Sequence, residues 1–241
     1  AQQKDVVSFA AGEPDFDTPR HIKAAAVAAL DSGFTKYTAT GGIPELKSAI
    51  IDKLRRENSL TFSAEQIVVT VGAKQALYNA FQALLSPGDE VIVIAPYWVS
   101  YPDMVRLADG NPVILETSAA DGWVPNPKEL QRALSPRTKA IVINSPSNPT
   151  GTVFSKETLL QMADVIRGHD CLIISDDIYE RLLYSDRPFT NIATAASDLA
   201  NRSLVVNGFS KAFAMTGLRL GYAAGPKEVI SGMQMIQDQS T

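Results

Sequence analysis

The sequence predicts an α/β fold of three layers, α/β/α, in which a mainly parallel β-sheet lies between helices. Two observations support this prediction. Short apolar runs such as Val91–Ala95 and Ala140–Ile143 recur along the chain, and strands that are apolar on both faces are typical of sheets covered on both sides. Segments with helical spacing of apolar residues separate these runs, which is the alternation expected of a parallel sheet.

The amino-terminal part of the chain is predicted to be irregular and then helical. Residues up to about Thr18 are rich in Gly, Pro and Asp, which disfavours regular structure. The next apolar patterns have a helical period, and the turn signals Gly41-Gly42 and Pro44 separate them. The predicted helices of this part are His21–Leu30 and Glu45–Glu57.

From Gln66 onward the pattern becomes a regular alternation of strands and helices. Ser86-Pro87-Gly88 ends one predicted helix, and a further helix is expected after Pro96. No repeat or long linker interrupts this part, so we predict one domain from about residue 20 onward. The predicted strands are Ile67–Val71, Val91–Ala95, Pro112–Glu116, Ala140–Ile143, Cys171–Ser175, Leu204–Asn207 and Leu220–Ala224, and the predicted helices are Ala73–Leu85, Lys156–Arg167 and the start of one at Lys227.

The composition excludes several classes of partner. The chain of 241 residues has a net charge of -4 and no basic stripe, which argues against nucleic acid as a partner. Its apolar runs are too short to cross a membrane. Cys171 is the only cysteine and lies in an apolar run, so a buried thiol is expected and no zinc-ligand spacing can be assembled. We therefore predict a cytoplasmic protein without a bound metal.

Chemically informative residues follow five of the predicted strands. Ligands of open α/β sheets bind beyond the carboxyl ends of the strands. These ends carry a glycine-containing helix start, an aromatic residue, an amide, an acid with a phenol, and a hydroxyl with an amine. Together they indicate a flat, phosphorylated, aromatic ligand with an aldehyde. The residues are Gly72-Ala73-Lys74, Trp98, Asn148, Asp176 with Tyr179, and Ser210 with Lys211.

Three of these features have a ligand-binding and an ordinary explanation. Gly72-Ala73-Lys74 places free N–H groups at a helix start, where phosphate binds well, but a plain strand-to-helix turn has the same sequence. Trp98 is able to stack on a planar ring or to pack in the interior. Asp176 is able to hold a cationic nitrogen or to cap a helix. Their occurrence together, at matching strand ends, favours a ligand site.

The remaining features are also ambiguous when they are taken singly. The prolines Pro146 and Pro149 around Asn148 are consistent with a rigid loop. Arg219 and Lys211 have the residue type of ordinary surface charges. Their order along the chain, after consecutive predicted strands, again favours the ligand site.

Three motifs resemble those of a known family. The runs Asn144–Gly151 (NSPSNPTG), Ser175–Glu180 (SDDIYE) and Ser210–Gly221 (SKAFAMTGLRLG) are similar to those of class I/II aminotransferases that depend on pyridoxal 5'-phosphate (PLP). The likeness covers essentially the whole chain and is strongest to the bacterial aspartate aminotransferase branch, which includes aspartate/prephenate enzymes. It implies the large domain of PLP-dependent transferase fold type I.

The resemblance implies roles for the reacting part of the site. Lys211 corresponds to the lysine that holds the cofactor covalently, and Asp176 to the partner of its pyridine nitrogen. Asn148 and Tyr179 correspond to hydrogen-bond partners of its phenolic oxygen, and Trp98 to the aromatic residue that stacks on its ring. Lys211, Asp176 and Tyr179 are therefore the expected catalytic residues.

The resemblance also implies a phosphate site and a substrate site. Ser210, Arg219 and the backbone at Gly72, Ala73 and Lys74 correspond to phosphate ligands. Tyr37 corresponds to a tyrosine that reaches the cofactor of a neighbouring subunit, so a homodimer is expected. Gly12 lies in a segment that covers the substrate carboxylate, and Trp98 and Asn148 also adjoin the substrate. The residues named here are Gly12, Tyr37, Gly72, Ala73, Lys74, Trp98, Asn148, Ser210 and Arg219.

The expected activity is transamination between an L-amino acid, aspartate or another acidic one, and a 2-oxo acid such as 2-oxoglutarate. The expected domains are an amino-terminal segment, 1–19, near the substrate site, and a large PLP-binding domain, 20–241. The small domain of the family, which carries an arginine for the substrate carboxylate, is expected to be absent. Alternative functions are a PLP-dependent β-lyase or synthase, or a PLP-binding module without turnover.

Overall fold

A seven-stranded sheet forms the centre of the molecule. The computed structural model describes residues 12–184, 186 and 188–241. Every strand predicted from the sequence overlaps an observed strand. The strands are β1 (Ile67–Thr70), β2 (Glu90–Ile94), β3 (Asn111–Leu115), β4 (Thr138–Asn144), β5 (Leu172–Asp176), β6 (Ser203–Gly208) and β7 (Gly221–Ala224).

Helices connect the strands and cover the sheet. The predicted helices are all present, with ends that differ from the prediction by a few residues. The helices are α1 (Arg20–Asp31), α2 (Pro44–Asn58), α3 (Gly72–Leu84), α4 (Ser100–Leu107), α5 (Pro127–Ala133), α6 (Lys156–Ile166), α7 (Ile192–Ala195) and α8 (Lys227–Gln237).

The strand order is β1-β7-β6-β5-β4-β2-β3. Only β7 is antiparallel to its neighbours, β1 and β6, while every other pair is parallel. The prediction of a mainly parallel sheet is therefore confirmed. The carboxyl ends of the parallel strands meet at one edge, where the loops after β2, β4, β5 and β6 come close to the start of α3.

The alternation of side chains along each strand divides the core into two layers. On β4, Ala140 and Val142 belong to the cluster under α3, α4 and α8, while Ile141 and Ile143 belong to the cluster under α5 and α6. Successive strand side chains point to opposite faces, so an apolar run fills both layers at once. This arrangement confirms the predicted three-layer architecture.

Two short helices, α5 and α7, were not predicted from the sequence. Each begins after an asparagine whose side chain accepts a hydrogen bond from the backbone of the first turn. Asn126 accepts from Lys128 N at 2.9 Å, and Asn191 accepts from Ala193 N at 2.7 Å. Helices of seven and four residues are too short to show a helical period of apolar residues. The capping asparagine is therefore the main sign of each helix in the sequence.

Helix α1 differs from the other long helices because it contains no buried residue. Helix α2, by contrast, buries Ile50 and Leu54 against the sheet, and its last residue, Asn58, is also buried. The predicted division at residue 19 between an amino-terminal segment and the large domain stays a prediction, and residues 1–11 lie outside the described part of the chain.

Candidate active site

A cavity of about 590 Å³ opens at the carboxyl edge of the sheet. The loops after β2, β4, β5 and β6, the start of α3 and the amino-terminal segment all contribute to its wall. Ten of the residues proposed from the sequence line it. They are Gly12, Ala73, Lys74, Trp98, Asn148, Asp176, Tyr179, Ser210, Lys211 and Arg219.

The start of α3 and the side chain of Arg219 form a positively polarised wall. Val71 precedes the helix without a side-chain capping bond, so the first N–H groups remain available. Gly72 has φ +79, and a Cβ there would lie 2.5 Å from Arg219 Nη2. Arg219 Nη1 donates to the carbonyl of Thr216 at 2.9 Å, which steadies the guanidinium. A helix amino terminus beside an arginine is a strong site for an anion such as phosphate.

Glycine is also required where β7 packs against this helix start. A Cβ on Gly221 would lie 2.4 Å from Ala73 N and 2.5 Å from Gly72 C. The backbones of β7 and α3 therefore approach each other more closely than any side chain allows. This contact sets the position of the α3 amino terminus relative to Arg219, which lies two residues before Gly221.

Asp176 is a buried carboxylate at the end of β5. Its Oδ2 accepts a hydrogen bond from Tyr101 Oη at 2.6 Å, and its Oδ1 accepts one from Ile178 N at 3.3 Å. Burial raises the pKa of Asp176 to about 6, and the two hydrogen bonds oppose that rise. The buried carboxylate is therefore suited to a cationic partner in the cavity.

Tyr101 is a site residue that the sequence argument missed. It is 2% exposed, and burial together with the negative charge of Asp176 raises the pKa of its phenol well above the usual range. The neutral hydroxyl is thus kept as a donor to Asp176. Its place three residues after Trp98, in the first turn of α4, was the available signal.

Asn148 and Tyr179 meet across the cavity wall. Asn148 Nδ2 donates to Tyr179 Oη at 3.3 Å, and Asn148 N donates to Asn144 Oδ1 at 2.8 Å. Asn144 Nδ2 in turn donates to the carbonyl of Asp176 at 3.0 Å. The loop after β4 is therefore fastened to the end of β5, and Asn144 is a second residue that the sequence argument did not assign.

Lys211 lies within this group of side chains. Its Nζ donates a hydrogen bond to the carbonyl of Gly12 and lies 6.0 Å from the centroid of the Tyr179 ring. Partial burial lowers the pKa of Lys211; Arg219 lowers it further, and Glu13 opposes both effects. A lowered lysine pKa increases the fraction of neutral amine, which is the form that attacks a carbonyl carbon.

Trp98 and Lys74 form the wall beside α4. The ring of Trp98 meets that of Tyr101 edge-on, with centroids 5.4 Å apart, and Lys74 Nζ lies 4.9 Å from the Trp98 ring centroid. This is the geometry of a cation–π contact. The resemblance implied a role for the backbone of Lys74, whereas its ammonium group also lies against the ring of Trp98, and both residues line the cavity.

A family model described as aminotransferase class I and II matches residues 4–241. The chain belongs to this family. The match covers nearly the whole sequence and confirms the resemblance inferred from the three motifs.

The relatives of this aminotransferase chain are longer than it is. An aspartate/prephenate aminotransferase of Thermus thermophilus is 55% identical over 240 residues, which are 100% of this chain and 61% of that protein. An aspartate aminotransferase of Geobacillus stearothermophilus is 48% identical and is covered to 60%. The chain therefore spans about three fifths of the length of these curated relatives.

Solved structures of the family share the fold of this chain. An aspartate aminotransferase from Thermus thermophilus with maleate has a TM-score of 0.91 at 55% identity, over 95% of this chain and 59% of that one. An aromatic aminotransferase from Pyrococcus horikoshii has a TM-score of 0.92 at 42% identity, over 95% of this chain and 62% of that one.

Two residues proposed from the sequence do not line the cavity of this aminotransferase chain. Gly72 stands behind it, against Arg219, as its crowded Cβ position indicates. Tyr37 is fully exposed on the segment between α1 and α2. Among residues 12–184, 186 and 188–241, no cluster of acidic, histidine or cysteine side chains has the arrangement of a metal site, and no helix is suited to span a membrane.

Proposed function

We propose that this chain is the cofactor-binding part of a PLP-dependent aminotransferase, which exchanges an amino group between an L-amino acid and a 2-oxo acid. One observation carries the proposal. The amine of Lys211, the carboxylate of Asp176 and the anion-binding wall at Arg219 line a single cavity. An amine, an acid and an anion site are the three contacts that PLP requires, at its aldehyde, its ring nitrogen and its phosphate.

The residues present fit this cofactor. Asp176 is 3% exposed, and among the described residues no lysine, arginine or histidine forms an ion pair with it. A protonated ring nitrogen would give this buried carboxylate a cationic partner through a charge-assisted hydrogen bond. The uncapped start of α3 would likewise gain an acceptor for its free N–H groups.

Each residue has a definite task in the proposed reaction. When PLP is bound, it supplies an electron-accepting ring next to the substrate Cα. Lys211 Nζ would hold the cofactor and, when free, would take the proton from the substrate Cα as a base and deliver it as an acid to the carbon that carried the cofactor's aldehyde. Asp176 would keep a proton on the ring nitrogen. Tyr179, oriented by Asn148, would donate to the phenolic oxygen.

The charges around the cavity favour an acidic substrate. With Lys211 and Arg219 assigned to the cofactor, Lys74 is the cationic side chain of the cavity lining that remains for a substrate, and Glu13 is an acidic neighbour of Lys211. Lysine and arginine side chains pair with the carboxylates of dicarboxylic acids. The names of the relatives, which include aspartate and aspartate/prephenate aminotransferases, agree with aspartate and 2-oxoglutarate as the substrates of the whole protein.

A homodimer completes the proposal. Tyr37 is 107% exposed and stands outside the cavity of its own chain. A phenol in that position is available to a neighbouring subunit, where the resemblance assigns it to the phosphate of the cofactor. Each site would then contain residues of both subunits, and a cytoplasmic setting is proposed for the assembly.

The test is covalent attachment of PLP to the purified chain. We expect a visible absorption band on addition of PLP and, after borohydride reduction, a mass increase on the peptide that contains Lys211. Lys211→Ala should abolish both, whereas Lys74→Ala, which removes another amine of the same cavity, should keep the label. Labelling that survives in Lys211→Ala would overturn the assignment.

Products distinguish the alternative activities once PLP is bound. With aspartate and 2-oxoglutarate, an aminotransferase forms oxaloacetate and glutamate without free ammonia. A β-lyase releases ammonia and pyruvate from its substrate. A PLP-binding module without turnover would show the band of the bound cofactor but no response of that band to aspartate.

A further inference from the structure

The turn that follows β5 directs its side chains to two opposite sides. Asp176, Ile178 and Tyr179 line the cavity. Asp177 and Glu180 lie between and beside them in the sequence, yet neither lines the cavity. Their carboxylates point into the polar interior between the sheet, α2 and α7, where each meets its own set of hydrogen-bond donors.

Asp177 is bound firmly behind the cavity. It is 2% exposed, and its Oδ1 accepts a hydrogen bond from Ser175 Oγ at 2.7 Å. Its Oδ2 accepts one from Asn191 Nδ2, and Asn191 also caps α7 through Ala193 N at 2.7 Å. The backbone N–H of Asp177 donates to the carbonyl of Val206 on β6 at 2.9 Å.

Glu180 is bound in the same way by the end of α2. Lys53 Nζ donates to Glu180 Oε1, and Asn58 Nδ2 donates to Glu180 Oε2 at 2.9 Å. The carbonyl of Asn58 accepts from Thr194 Oγ1 of α7 at 2.6 Å. The hydrogen-bond partners of Asp177 and those of Glu180 are therefore joined through α7. The backbone N–H of Glu180 also donates to the carbonyl of Asp177 at 2.9 Å, which closes the turn.

On the cavity side of the turn, the side chain of Tyr179 has a single hydrogen bond. The phenol of Tyr179 accepts one hydrogen bond, at 3.3 Å from Asn148, whereas Asp176 accepts bonds from Tyr101, from the backbone N–H of Ile178 and, at its carbonyl, from Asn144. On the opposite side, the carboxyl groups of Asp177 and Glu180 each accept two hydrogen bonds from side chains, and one of the donors is the ammonium of Lys53. The direction of Asp176 and Tyr179 therefore depends on the carboxylates on the opposite side.

We infer that Asp177 and Glu180 are positioning residues, which hold Asp176 and Tyr179 toward the cavity from behind. This inference rests on the proposed function, because the residues that they aim are those assigned to the cofactor. It gives the five-residue motif Asp176–Glu180 two faces, one for chemistry and one for anchoring.

The test compares variants of the chain loaded with PLP. Asp177→Ala leaves the donors of Ser175 and Asn191 without an acceptor. We expect the dissociation constant of PLP to rise about tenfold and the pH midpoint of the visible band to shift by about one unit. Asp177→Asn keeps an acceptor for Asn191 and a partner for Ser175, so it should bind PLP within about threefold of the original chain.

The matched control is Gln237→Ala. Gln237 is 1% exposed and bonds to Asn79, Thr40 and Val69 away from the cavity, so its loss removes comparable buried hydrogen bonds. We expect it to lower stability in urea without a change in PLP affinity or in the pH midpoint. Equal effects of Gln237→Ala and Asp177→Ala on the band would overturn the inference.

Glu180→Ala provides a second, independent variant in case Asp177→Ala does not fold. It should raise the PLP dissociation constant in the same direction, and an unchanged constant and midpoint in both folded variants would contradict a positioning role. If the unaltered chain shows no visible band with PLP, the proposed function fails and the inference fails with it. If the unaltered chain shows the band, and both variants show the same band with the same PLP affinity, the inference is refuted while the proposed function stands.

Discussion

The cavity and the amino-terminal arm, residues 14–40, are built in opposite ways. The cavity takes its shape from strand ends whose side chains continue into a closed core, and Asp176, Tyr101 and Ser210 are all buried. None of the residues 14–40 is buried, although Val27, Leu30 and Phe34 are large and apolar. This chain's own core therefore positions the cavity, whereas the arm has apolar surface suited to a partner surface.

Substitution of one phenylalanine in each region gives the sharpest contrast. Phe81 is fully buried on α3, and Phe81→Ala should lower the free energy of unfolding by about 3–5 kcal/mol because it leaves a cavity. Phe34 is 61% exposed, and Phe34→Ala should change it by less than about 0.5 kcal/mol in the isolated chain. Urea unfolding measures both, and a large loss for Phe34→Ala would show that the arm packs on the core.

At the cavity itself we expect a smaller effect, in which a substitution raises the stability of the folded chain instead of lowering it. Burial raises the pKa of Asp176 from 3.8 to about 6, so the folded chain holds a proton that the unfolded chain releases. Its stability should therefore fall as pH rises from about 4 to 6, by up to about 3 kcal/mol at 1.36 kcal/mol for each pKa unit. Asp176→Asn, which keeps an acceptor for Tyr101, should remove this fall.

Urea unfolding at pH 4 and pH 8, without PLP, measures this effect. The two chains should be equally stable at pH 4, and the Asp176→Asn chain should be the more stable one at pH 8. That variant should also bind PLP weakly, because it lacks the charge that pairs with the ring nitrogen. Greater stability of the unsubstituted chain at pH 8 would show that Asp176 is already paired with a cation.

The smallest expected effect lies in the arm. Tyr37→Phe removes one hydroxyl and should weaken PLP binding by about tenfold, the magnitude of a hydrogen bond to a charged group. Mixing Tyr37→Phe chains with Lys211→Ala chains shows which subunit's site the hydroxyl of Tyr37 serves. If Tyr37 serves the neighbouring subunit, hybrid dimers regain one intact site with full affinity, because Lys211 and Tyr37 then come from different chains. No recovery of affinity in the mixture would assign Tyr37 to its own chain or to no site.

Prediction from the sequence succeeded for those features whose residue pattern occurs mainly in one kind of structure. Buried parallel strands are apolar throughout, so Val91–Ala95 and Ala140–Ile143 indicated their strands directly. The strand-end rule brought Asp176 and Lys211 to the same edge of the sheet. Tyr101 was missed because a phenol in a helix has the same appearance in sequence whether it packs or donates to a carboxylate.

What the sequence determined by itself was the order of helices and strands and the set of chemical groups at the strand ends, because both follow from local periodicity and residue type. The tertiary structure alone decided the antiparallel direction of β7, the contact of Gly221 with α3 that places Arg219, and the opposite directions of Asp176 and Asp177. These features depend on contacts between residues far apart in the chain. Local sequence patterns carry no information about such contacts, because the contacts form only when the whole core packs.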